Sequence, residues 1–217
     1  MNMRALVKSS ICLLAFPQAT AALLVRARSS VSRMSAATAT ELRFEPAAAP
    51  APHKKTVFVG LKESLLSDIA ADLLPPGCSR ELFENLINGC DTGDDGASES
   101  SMYATPAGEM ATVIAAVLPE HCSRHASPVR GHAVTSLVRG AVGSDDARVV
   151  AVLEDPACAG GTACAIGRAF PLFSFKGSKT PPAETKEAPV VRVALAPVAG
   201  AAASLLNCAA AAEGVRR

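Results

Sequence analysis

The sequence has no tryptophan, one tyrosine and seven phenylalanines among its 217 residues, so a core built on large aromatic plates is excluded. Alanine and valine take their place, and small aliphatics suit a sheet covered on both faces by helices. An excess of one charge is lacking too: 21 Lys and Arg stand against 20 Asp and Glu, a net charge of +1. Whole-chain charge therefore gives no reason to expect nucleic acid or an acidic membrane as partner. No apolar run reaches the roughly 20 residues that a spanning helix needs, so a soluble chain is expected once any leader is removed. The seven cysteines, at 12, 78, 90, 122, 158, 164 and 208, are odd in number and form no CxxC pair. They read as reduced, small buried hydrophobes rather than as a disulfide frame or zinc knuckle.

Acidic residues are absent before Glu41, while Arg4, Lys8, Arg26, Arg28 and Arg33 supply charge of one sign among Ser and Ala. This is the composition of a transit peptide and predicts import into an organelle, mitochondrion or plastid. A competing reading remains open. The apolar stretch 11–25, interrupted by Pro17, Gln18 and Thr20, resembles the hydrophobic region of a secretory or bipartite leader, with Ala19-Thr20-Ala21 as cleavage site. A start at Met34 would give a cytoplasmic product without the leader. Residues 47–52 (AAAPAP) read as a linker, because proline lacks a backbone donor and biases its predecessor to extended geometry.

Beyond the linker, strands and helices alternate. Residues 56–60 (TVFVG), 110–118 (MATVIAAVL), 147–153 (ARVVAVL) and 190–195 (VVRVAL) are short apolar runs typical of strands buried on both faces. Leu61, Leu65, Ile69 and Leu73 recur every four residues and predict one amphipathic helix over 61–74, closed by Pro75-Pro76. Ser79 caps a second helix ending at Gly89. Ser127, followed by Pro128, is the expected start of a third helix ending at Gly143, and Asp155-Pro156 the start of a fourth through Arg168. Residues 91–101 (DTGDDGASESS) have almost no apolar surface and predict a solvated loop. Residues 176–189 form a Pro- and Lys-rich loop, and 201–214 a helix of high propensity. The order predicts a single α/β domain with a largely parallel sheet flanked by helices.

No pattern of chemistry stands out. Counted from Asp91, Gly96 fits the sixth position of a calcium loop, but Gly93 and Met102 occupy places where oxygen ligands belong. His121, Cys122, His125 and His132 cluster in sequence without metalloprotease spacing, and Pro119 and Pro128 bracket the segment. Gly160-Gly161 at a helix start lacks the lysine and hydroxyl of a phosphate loop. No G-x-S-x-G elbow exists to make a nucleophile of Ser123 or Ser127. Catalytic, cofactor-binding and metal-binding residues are therefore all expected to be none.

Three segments carry a family resemblance: residues 111–128 (ATVIAAVLPEHCSRHASP), 163–174 (ACAIGRAFPLFS) and 209–217 (AAAAEGVRR). Together they resemble the N-terminal domain of leucine aminopeptidases, most nearly the animal aminopeptidase-like branch. The resemblance implies a macro-like α/β domain, then a connecting helix with a Gly-Val-Arg stretch leading into a catalytic domain. It also implies two divalent ions, zinc or manganese, held there by Asp, Glu and Lys side chains. The family's Val-Gly-Lys-Gly-like segment and its Asn-Thr-Asp-Ala-Glu-Gly-Arg motif have no match in this sequence. Hexamers with outward N-terminal domains imply self-association, or association with full-length aminopeptidase subunits, as the partner class.

The expected organisation is a leader and linker over 1–53, the α/β domain over 54–199, and the connecting helix over 200–217. The leading functional reading is the non-catalytic N-terminal domain of a two-metal aminopeptidase, reaching peptides only through a catalytic domain that these residues lack. One alternative is a stand-alone macro-like module holding a ligand at the strand ends, near Asp155, Gly160 and Gly161. Another is a pseudo-subunit assembling with complete chains.

Overall fold

The computed structural model describes residues 40–47, 53–122, 127–172, 188–199 and 204–216. Of the expected leader and linker over 1–53, residues 1–39 and 48–52 lie outside the described residues, as does most of the loop 176–189. Six strands form one sheet in the order β1-β6-β5-β2-β4-β3: β1 (Glu41–Glu45), β2 (Lys55–Gly60), β3 (Ala97–Ala104), β4 (Met110–Val117), β5 (Ala147–Leu153) and β6 (Val190–Pro197). Every neighbouring pair is parallel except β3 with β4. The α/β class and the largely parallel sheet are as the sequence predicts. Its central strands are largely apolar because helices cover both faces, with Thr56 and Arg148 the polar side chains buried in them.

On one face α4 (Gly131–Val142), α5 (Ala159–Ala169) and α6 (Leu205–Arg216) pack against Val57, Val149, Val191 and Val193. On the other, α1 (Lys62–Leu65), α2 (Asp68–Asp72) and α3 (Arg80–Gly89) cover Phe58, Val113, Ala115 and Val150. The Phe58 and Phe83 rings meet there with centroids 4.7 Å apart and planes tilted by 56°. Among the described residues no helix is long and apolar enough to cross a membrane.

Four expectations are corrected. The helix over 61–74 is two short helices, because the Ser67 hydroxyl donates to the Ser64 carbonyl at 2.6 Å and accepts from the Ala70 N–H, starting a new helix. The loop over 91–101 ends early, and residues 97–104 form β3. A tight turn explains this: Thr105 N–H donates to the Glu109 carbonyl at 2.8 Å, and Gly108 supplies a φ of 81°. The α4 helix starts at Gly131, not at Ser127-Pro128, since Arg130 turns the chain at a left-handed φ of 50°. Finally, residues 41–45 were expected in a leader-and-linker segment, yet they complete the sheet. Leu42 and Phe44 point into the core against α6, while Glu41, Arg43 and Glu45 face outward.

The last helix also departs from a simple connector. Cys208, Ala212 and Arg216 are buried against α5. Its Arg216 guanidinium donates to the Phe170 carbonyl at 2.8 Å, to the Thr40 carbonyl and to the Glu213 carboxylate, tying α5, α6 and the start of β1 together. Both expected boundaries, 53/54 and 199/200, thus run between elements that pack on one another.

Candidate functional site

Parallel α/β sheets bind ligands beyond the carboxyl ends of their strands. At that end of β4 the chain runs through Leu118 and Pro119 to Glu120, His121 and Cys122, opposite the residues 91–96 that join α3 to β3. Gly96 holds the second wall close, with a φ of 82° and a backbone that would bring a Cβ within 2.6 Å of the Val117 carbonyl. Between the walls lies a cavity of about 190 Å³ lined by Asp94, Asp95, Pro119, His121, Arg130 and His132, with Cys122 and Ala133. An adjoining cavity of about 340 Å³ runs along Asp91–Asp94, Glu120 and His121.

Arg130 is the brace of this cleft. It donates from Nη1 to the Pro128 carbonyl at 2.9 Å and from Nη2 to the Glu120 carbonyl at 2.6 Å, while its Nε is buried with no partner among the described residues. Its two terminal nitrogens therefore hold the loop. Carboxylates on one wall and imidazoles on the other offer donors and acceptors over a floor of Pro119 and Ala133. The inner cavity falls below the roughly 300 Å³ at which small-molecule pockets begin.

The sequence cluster of His121, Cys122 and His132 is brought together on this cleft, and His125 lies outside the described residues, as does Ser123. Among the described residues no three His, Cys, Asp or Glu side chains converge as metal ligands. Asp91, Asp94 and Asp95 line the cleft rather than encircle a point. At the α5 start, Asp155 accepts from the Ala157 N–H at 2.8 Å, capping a short 3-10 turn over Pro156–Cys158. Gly161 is a packing glycine: a Cβ there would meet a Val129 methyl at 2.7 Å. Gly160 has nothing within 4 Å of that position.

Cys78, Cys90, Cys122, Cys158, Cys164 and Cys208 are free thiols. Burial pushes the Cys78 thiol up to about 11 and also raises Cys90, Cys158 and Cys208, which keeps them protonated and poorly nucleophilic. Sequence reasoning missed the contributions of Arg130, Asp94 and Asp95. Nothing marks an arginine as left-handed before a glycine, and the acids looked like ordinary loop solvation.

Residues 92–180 match the family described as M17 aminopeptidase N-terminal domain 2. That stretch is similar to an N-terminal domain of the leucine aminopeptidase family. Over 71 residues it is 35% identical to the probable aminopeptidase NPEPL1 of Mus musculus, a match spanning 33% of this chain and 14% of that protein. Its fold is similar to the leucyl aminopeptidase of Leishmania major solved with actinonin, at a TM-score of 0.57 and 19% identity over 73% of this chain and 29% of that one. The apo leucyl aminopeptidase of Trypanosoma brucei gives 0.56 and 18% over 80% and 36%. That of Trypanosoma cruzi gives 0.54 and 18% over 82% and 37%. The chain thus spans a seventh of the curated relative and about a third of these structural relatives.

Proposed function

We propose that this chain supplies the non-catalytic N-terminal domain of a leucyl-type aminopeptidase that removes N-terminal residues from peptides. The observation that carries the reading is the family match over 92–180, in a fold shared with leucyl aminopeptidases. The described residues supply no convergent set of ligands for a two-metal centre. In this reading zinc or manganese and the peptide belong to a catalytic domain that these residues do not form, and no catalytic step runs through them. The domain's own work is assembly, by self-association or by joining full-length aminopeptidase subunits. The leader within residues 1–53, basic and without acid before Glu41, serves as the organelle address, and a product starting at Met34 stays cytoplasmic.

The test is hydrolysis of leucyl-p-nitroanilide by the purified 217-residue chain with manganese or zinc added. No turnover is expected. Metal-dependent turnover that survives repurification overturns the reading. The address is tested separately by a fluorescent fusion of residues 1–50, expected in an organelle, against one starting at Met34, expected in the cytosol; diffuse signal from both overturns it.

A second reading, a macro-like module with a small ligand, is favoured by the cleft between residues 91–95 and 119–122. A nucleotide titration followed by tryptophan-free fluorescence of Tyr103 or by calorimetry separates it: binding abolished by Arg130→Met supports the module.

A further inference from the structure

β3 closes one side of the sheet, and among the described residues no strand lies beyond it. The opposite edge is protected against further pairing: three of the five β1 residues, Glu41, Arg43 and Glu45, are charged, and Pro46 follows them. The β3 edge has none of these devices. Its eight residues (ASESSMYA) hold no proline, lysine or arginine, Glu99 is their one charge, and the register with β4 runs without a bulge from Ala97↔Val117 to Ala104↔Met110.

Backbone groups of alternate residues in an antiparallel strand face opposite sides. The Thr105 N–H to Glu109 carbonyl bond fixes the phase, because Thr105 and Glu109 continue the β3–β4 register. Ala97, Glu99, Ser101 and Tyr103 therefore exchange bonds with β4, and Ser98, Ser100, Met102 and Ala104 turn their N–H and C=O groups outward. Two large apolar side chains share a face here, Met102 on the edge strand at 60% exposed and Met110 on the neighbouring β4 at 59%.

We propose that β3 pairs antiparallel with β3 of a second copy of this chain, about a twofold axis between the two Met102 residues, joining two six-stranded sheets. A second copy fits for three reasons. Outward residues of one strand meet outward residues of the other over 100–104, so the free backbone groups of Ser100, Met102 and Ala104 find partners in the second copy. Ser100 then faces Ala104 and Glu99 faces Thr105, so no like charges oppose each other. The copy also presents its own Met102 at the same height, covering both side chains, with Met110 one strand behind on each side. The pairing names a surface for the self-association proposed above and rests on that part of it; it needs no catalytic assignment, and the hydrolysis assay reads the peptidase part independently.

The experiment is sedimentation velocity on the full 217-residue chain over a range of concentrations. A dimer is expected. Met102→Lys and Ser100→Pro are expected to sediment as monomers while keeping the parent's circular dichroism. Proline is tolerated at position 100 because that N–H faces away from β4. Met102→Cys adds a measurement that does not depend on destabilising the fold. Directly opposed residues lie about 5.5 Å apart, within disulfide reach. Oxidised glutathione should therefore convert Met102→Cys to a reducible covalent dimer faster than it does Leu206→Cys, a control at a site 61% exposed on α6. A parent chain that is monomeric throughout, a Met102→Lys variant that stays dimeric, or equal cross-linking of the two cysteine variants overturns the proposal.

Discussion

Gly167 lies so close to Ala212 that a Cβ added to the glycine would stand 2.5 Å from the Ala212 carbonyl oxygen and 3.0 Å from its Cα. Both contacts are with backbone, so neither can yield by a side-chain rotation. Gly167→Ala must therefore push α6 off α5, at a cost of about 1–3 kcal/mol for overpacking. Hydrogen exchange reads this directly. In the parent chain the amides of Cys208 to Ala212 should be slow, and in the variant they should accelerate well beyond those of Val149 to Leu153. Unchanged protection in the variant would mean that the helices have more room than the structure gives them.

Arg216 makes a sharper test of how the last helix is held. Its side chain is 4% exposed and its partners are carbonyls on two other segments, Phe170 and Thr40, besides Glu213 on its own helix. Arg216→Met keeps the length of the stem but strips the donors. The buried Phe170 carbonyl alone should then cost about 1–3 kcal/mol. Lysine cannot restore the fork of donors, so Arg216→Lys should recover little. Glu213→Gln removes only a half-exposed partner and should cost about 0–1 kcal/mol. Urea unfolding of the three variants gives the ranking, and a Glu213→Gln effect as large as that of Arg216→Met would reject it.

The central strands were legible because they are buried on both faces, and continuous apolar runs such as 147–153 have few other uses. The edges were not. β1 hides its two core residues, Leu42 and Phe44, among three charges, and β3 buries Tyr103 alone, so neither carries an apolar pattern strong enough to oppose a linker or loop reading. The break at Ser67 was masked by a regular stripe of leucines and isoleucine, which a local hydroxyl bond overrides. For the last helix, high propensity alone did not reveal its seat: Gly167 allows so close an approach that alanines and a cysteine suffice to pack it. The cleft was half visible, since His121, Cys122 and His132 are near in sequence, whereas the opposing Asp94 and Asp95 arrive only through the β3–β4 hairpin.

Thiol reactivity should separate the cysteines in a fixed order. Cys122 is exposed, whereas Cys90 and Cys208 are buried and their thiols are raised by that burial. Cys78 is half-buried with its thiol pushed up to about 11, leaving little thiolate near neutral pH. Among the cysteines at described positions, iodoacetamide at pH 8 followed by peptide mass spectrometry should label Cys122 first, and Cys90 and Cys208 only under denaturing conditions. Early labelling of Cys208 would show that α6 leaves its seat on α5 in solution.

The pH dependence of stability should carry a contribution from His53. This residue is half-buried just before β2, and its pKa is pushed below the usual 6.5, first by burial and then by the positive charges of Arg192 and Arg148. Those arginines share one register row across β6 and β5, with Glu45 offsetting Arg192 through a 3.2 Å ion pair. The sign follows from proton linkage: with the folded-state pKa depressed, the unfolded chain binds the proton more readily. The stability held by neutral His53 is fully present above the unfolded value near 6.5 and is lost as pH falls below it toward the depressed folded value. His53→Gln, which is never charged, should flatten the slope of unfolding free energy against pH in that window and leave the alkaline side unchanged. Glu45→Gln should steepen it, because Arg192 and Arg148 then act on the imidazole without their counter-charge. Urea midpoints measured between pH 5 and 8 give the slopes, and identical slopes for the parent chain and His53→Gln would remove His53 from the account.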